Sequence, residues 1–150
     1  MGTQQILMIV LSVIIVGAAV AVGIQMFDTQ ANNQARNAIV SDLMQFGVQA
    51  QAWFRQPVVM GGPGTVGLTA TNAPEMVAFI NRDWTGGLGP HLNTTGSYVF
   101  SVISDSAAGV IGTSVQNPAI QAAARINLRG GTEADGYGVR IATGGTIPGP

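Results

Sequence analysis

The first 27 residues carry no ionisable side chain, and the first charge in the chain is Asp28. Within that stretch residues 6–24 read ILMIVLSVIIVGAAVAVGI, interrupted only by Ser12, Gly17 and Gly23. As a helix this run is about 28 Å long at 1.5 Å per residue, close to the hydrocarbon thickness of a bilayer. It is apolar on every side, so it has no stripe to turn toward water and cannot be a surface helix of a soluble domain. Roughly a dozen large aliphatic side chains, at ~1.5–3 kcal/mol each, make full exposure to water cost on the order of 20–40 kcal/mol. The segment belongs in lipid or against other apolar helices. A cleaved secretory signal fits poorly, because no Lys or Arg precedes the run and Ile24-Gln25-Met26-Phe27 lacks small residues at the cleavage position.

Helical periodicity continues past the apolar run. Phe27, Ala31, Ala35, Ala38/Ile39, Leu43, Phe46, Ala50 and Trp53/Phe54 recur every three or four residues, with Asp28, Asn32, Arg36, Ser41, Gln45 and Gln49 between them. One helix is therefore expected over about 2–56, ending where Pro57 blocks continuation. Residues 1–27 are its apolar part and 28–56 its amphipathic part. The stripe Phe27, Ala31, Ala35, Ile39, Leu43, Phe46, Ala50 and Trp53 is the face expected to pack on a globular head.

That head is residues 57–150. Asn72-Ala73-Pro74-Glu75 reads as a capping box opening a short helix near 73–82, with Met76, Phe79 and Ile80 inward. Strands are expected near 97–104, 109–115, 122–129 and 137–143. Tyr98, Phe100 and Val102 alternate with Ser97, Val99 and Ser101. Ala124, Ile126 and Leu128 alternate with Arg125, Asn127 and Arg129, and Tyr137, Val139 and Ile141 with Gly138, Arg140 and Ala142. Such alternation describes antiparallel strands with one face buried and one wet. The expected fold class is α+β, a long N-terminal helix packed on a C-terminal antiparallel sheet.

With an apolar opening from Met1 through Ile6-Leu7-Met8-Ile9-Val10, then an unbroken amphipathic continuation and a small sheet, the chain resembles the type IV pilin superfamily of bacterial pilins, pseudopilins and archaeal pilins. The resemblance covers residues 1–56 by pattern and 57–150 by architecture alone. It implies an extracellular filament subunit that is held in the membrane before assembly, taken up by an inner-membrane assembly machinery, and polymerised with copies of itself. The implied polymer core comprises Met1, Gln5, Ile6, Leu7, Ile9, Val10, Val13, Ile14, Val16, Gly17, Val20, Gly23 and Ile24. In the family the mature end is often methylated and is exposed by removal of a leader; Met1 reads either as that end or as an initiator. Two positions depart from the pattern. Gln5 stands where a Glu commonly meets a neighbour's amine, and Val22 stands where a helix-loosening proline is usual. Gly17 and Gly23 are then the residues able to ease local unwinding or close helix packing.

Little else in the sequence carries chemistry. There is no Cys, and all six basic residues are scattered arginines interspersed with seven acids. A disulfide framework, a thiolate metal site and a phosphate-binding stripe are thereby excluded. Gly62-x-Gly64-x-x-Gly67 has the spacing of a dinucleotide loop but follows a helix and contains Pro63. His91, the only histidine, is expected at a solvated surface. The segment 133–136 has no downstream bidentate Glu and reads as a turn, not a calcium loop. Asn93-Thr94-Thr95 is a glycosylation sequon, which makes Asn93 the candidate attachment point. No cofactor, metal, small-molecule ligand or specific nucleic acid is expected, and no enzyme activity. A filament subunit is the leading expectation. The alternatives are a pseudopilin or minor pilin of a secretion system, and a single-pass anchor bearing an extracytoplasmic binding domain.

Overall fold

A computed structural model describes residues 2–81, 87–128 and 138–149. Met1, the helix end expected at Arg82, Trp84, Arg129, the turn at 133–136 and Tyr137 lie outside the described residues. A single helix, α1, spans Gly2–Phe54, followed by a 3-10 turn at Val58–Met60 and a second helix, α2, at Ala73–Ile80. Five strands complete the chain: β1 His91–Leu92, β2 Gly96–Ser104, β3 Ala107–Ser114, β4 Gln121–Asn127 and β5 Gly138–Thr143. They form one antiparallel sheet in the order β1-β2-β3-β4-β5, so each strand pairs with its neighbours in sequence. The fold is α+β, a long helix followed by an antiparallel sheet. By internal contacts the chain divides into two units, residues 1–34 and 35–150.

In the second unit the inner face of the sheet packs on α1. Ile39, Leu43, Phe46, Ala50 and Trp53, spaced four, three, four and three residues apart, are all buried. They meet Tyr98 and Phe100 of β2, Val110 of β3, and Ala122, Ala124 and Ile126 of β4 in one core. The Phe46 ring meets Tyr98 edge-on with centroids 5.0 Å apart. Two glycines permit the close approach. A Cβ on Gly112 would lie 2.7 Å from an Ile39 methyl and 2.9 Å from the Tyr98 ring, and one on Gly47 would collide with Val139.

The expected packing stripe starts too early, because Phe27 and Ala31 are exposed, Ala35 is half-buried and full burial begins at Ile39. Strand length explains this. Ile39 sits against Gly112 toward one end of the strands, and Gln51 Nε2 donates to the Asn127 carbonyl (3.0 Å) at the other. Strands of this length run about 20–30 Å, and about 20 helical residues cover that distance. At its other end α1 stops at Phe54, not Gln56, with Gln56 N–H donating to the Trp53 carbonyl (3.0 Å) in a tightened last turn.

Other expectations need correction. Asn72 does not cap α2 through its side chain. Its Oδ1 accepts from Thr69 N–H (2.7 Å) and its Nδ2 donates to the Gly67 carbonyl (2.8 Å), so it braces the preceding turn instead. In α2 the buried set is Ala73, Met76, Val77 and Ile80, whereas Phe79 is 46 % exposed. One helical face takes positions separated by three, four and seven residues, and Phe79 is off that face. The helix ends because Asn81 is extended. β3 begins at Ala107, since only Asp105 and Ser106 turn the chain.

The outer face of the sheet is not uniformly wet. Residues 122–126 of β4 are all buried, Arg125 among them at 9 % exposure. The C-terminal residues account for part of this closure: Ile147 lies against Gly109, where a Cβ would displace it, and Gly145 lies against Gln121.

Candidate functional site

In the first unit α1 is bare. Gln5, Ile6, Leu7, Ile9, Val10, Val13, Ile14, Val16, Gly17, Val20 and Ile24 are all exposed, and Gly23 is half-buried. The large aliphatic side chains from Ile6 to Ile24 range from 51 % exposed at Val10 to 71 % at Leu7. They cover the whole circumference of the helix, so no face is spared. Among the described residues α1 is the one helix long and apolar enough to cross a membrane.

The backbone of this segment is fully provided for. The helix is continuous through Gly17 and Gly23, neither of which has positive φ, so the structure contains no unwound stretch between them. A Cβ at either glycine would meet nothing, leaving both positions open to close approach by another helix. Ser12 Oγ donates to the Met8 carbonyl (2.8 Å) and Thr29 Oγ1 to the Gln25 carbonyl (2.9 Å), so the hydroxyl protons find partners one turn back. A segment with its polar groups satisfied internally and an apolar surface all round can leave water without breaking hydrogen bonds.

In the second unit a polar cluster joins α1 to the sheet. Tyr98 Oη donates to Asp42 Oδ2 (2.6 Å), and Asn93 Nδ2 donates to the same oxygen (3.2 Å). Asn93 Oδ1 accepts from the backbone N–H groups of Thr95 and Gly96, both at 2.8 Å, which shapes the β1–β2 turn. The sequon asparagine thus has both side-chain atoms engaged in holding the fold. Asp42 and Tyr98 were not singled out from the sequence. The available signal was an acid beside the inward positions Ile39 and Leu43, and a tyrosine at an inward strand position whose hydroxyl needs a partner. His91 is half-buried, not solvated, and its Nε2 lies 2.9 Å from Asn81 Nδ2.

Burial, together with the hydrogen bond to Asp42 and its negative charge, raises the Tyr98 pKa far above the ordinary tyrosine value, while Asn93 acts in the opposite direction. The folded state then holds this proton more tightly than the unfolded chain. Its stabilising contribution is complete below the unfolded value of about 10 and is lost as pH rises beyond it. The chain has no Lys or Cys and only two tyrosines, Tyr98 and Tyr137, so little else titrates there. Unfolding free energies from denaturant titrations between pH 8.5 and 11.5 should fall for the wild type by up to about 1.4 kcal/mol per pH unit above 10. Tyr98→Phe should be less stable at pH 8 but respond much less to alkali. Equal slopes would remove Tyr98 as the cause.

No protein-family model matches the chain, and searches of curated proteins and of solved structures likewise return no match. The architecture itself, an apolar N-terminal helix whose continuation packs on an antiparallel sheet, is compatible with a pilin-like fold.

Proposed function

We propose that this chain is a structural, non-enzymatic subunit of an extracellular helical filament of the type IV pilin kind. The observation that carries the reading is the bare apolar circumference of residues 6–24 in a helix that continues without a break into the core of a folded head. The subunit resides in the membrane through this segment. An assembly machinery then draws the segment into a bundle in which neighbouring helices replace lipid. A repeated head-to-tail contact that does not close generates an open fibre, and Gly17 and Gly23 supply close-approach positions in the bundle.

Gln5 can accept a hydrogen bond from a neighbour's amine but cannot neutralise it, which inclines the reading toward an archaeal-type pilin or a pseudopilin. A second reading, a single-pass anchor carrying an extracytoplasmic domain, is favoured by the length of the apolar run, which matches a bilayer on its own. Electron microscopy of material sheared from cells separates the three. Long fibres rich in this chain are expected for a major subunit, short stubs with little of it for a pseudopilin, and none for an anchor.

A further inference from the structure

The sequon Asn93-Thr94-Thr95 forms the turn between β1 and β2. Its backbone is tied down at both ends. Asn93 N–H donates to the Gly96 carbonyl (3.0 Å), and Val115 N–H, just past β3, donates to the Thr95 carbonyl (3.4 Å). The Asn93 side chain is held by three more bonds. Its Oδ1 accepts from Thr95 N–H and Gly96 N–H, both at 2.8 Å, which uses the two lone pairs of an amide oxygen. Its Nδ2 donates to Asp42 Oδ2 on α1 (3.2 Å), the oxygen that also accepts from the Tyr98 hydroxyl.

Glycan transfer makes a specific demand on that amide. Nδ2 gives up a proton and forms a bond to C1 of a sugar. The bond from C1 to an oxygen of a lipid pyrophosphate breaks, and the pyrophosphate leaves with the electron pair. The nitrogen lone pair can attack only when the C–N bond turns out of conjugation, against the resonance that keeps an amide planar. Two donors on Oδ1 and a carboxylate acceptor on Nδ2 all favour the polarised, planar form. They also fix the plane of the group, so turning it means breaking them.

We propose that folding closes this sequon: Asn93 accepts a glycan in the extended chain and not once the β1–β2 turn is tied to Asp42. Modification of this residue then has to precede closure of the head. The proposal concerns the head alone and holds whether residues 6–24 end in a fibre or in lipid.

The test uses an oligosaccharyltransferase that accepts Asn-x-Thr, supplied with its lipid-pyrophosphate-linked glycan and read by mass spectrometry. Transfer to Asn93 is measured in the full chain folded in detergent and in a synthetic peptide of residues 88–98. Each rate is taken relative to an Asn-Thr-Thr tail appended to the same molecule. Because three hydrogen bonds must open, one of them to a carboxylate, Asn93 should react at least about tenfold more slowly in the folded chain than in the peptide. Equal relative rates overturn the proposal, and so does a peptide modified on its tail and never at Asn93. Two variants separate the hydrogen-bonded lock from a general loss of stability. Asp42→Ala removes the acceptor of Nδ2 and should speed transfer toward the peptide rate. Tyr98→Phe weakens the same cluster but leaves the three bonds of Asn93 in place, and it should stay slow. D42A with wild-type circular dichroism and wild-type slowness, or Y98F as fast as D42A, would show that these bonds do not close the site.

Discussion

Removing residues 1–27 is expected to give a head that is soluble without detergent, monomeric, and unable to form fibres. All the aliphatic side chains that demand an apolar environment in the first unit are deleted by this cut, on the order of 20–40 kcal/mol of unfavourable exposure per chain. The core of the head loses none of its members, since burial begins at Ile39 and the residues from Asp28 to Gln34 are exposed. Sedimentation or light scattering should report one copy per particle, and circular dichroism should retain the helical and strand content of residues 35–150. Fibres of wild-type appearance from the truncated chain would refute the role given to the apolar helix.

The second large effect is expected at Trp53. It is among the largest fully buried side chains, 2 % exposed, and it anchors the last turn of α1 in the core. Trp53→Ala removes a bulky ring from a close-packed interior and leaves a cavity, a change that costs about 3–5 kcal/mol. For a domain with a total stability of about 5–15 kcal/mol, that loss unfolds a large share of molecules under mild denaturant. The truncated head is the suitable material, and its urea midpoint should drop by at least about a fifth. A change under about 1 kcal/mol would mean that the helix end is not part of the cooperative unit.

Local patterning in the sequence was enough to locate most of the architecture, and non-local geometry decided the rest. The apolar run and its periodic continuation located α1 because a helical period and a missing charge are both readable over many residues. Alternation located β2, β4 and β5 for the same reason. The stripe through Phe27 and Ala31 follows the period correctly, but period alone does not say how long the sheet beneath will be. Phe79 and Val77 could be sorted only by fixing the face on Ala73. The closure over Gly109 and Gln121 depends on Ile147 and Gly145, distant in sequence, and β1 is too short for any pattern. Of the candidate site, the apolar helix was readable from residues 6–24 outright. The Val58–Met60 turn has no local signal in the sequence, because outward exposure of valines is a property of the folded backbone.

The central claim is that residues 6–24 end up among identical copies. A spin label on Ile14→Cys in the full chain tests it directly in cell-surface material. The account predicts strong dipolar broadening, since packed helices lie about 8–10 Å apart, that disappears when labelled chains are diluted with unlabelled ones. A narrow spectrum unaffected by dilution, with the label accessible to oxygen dissolved in lipid, would contradict it and leave a membrane anchor.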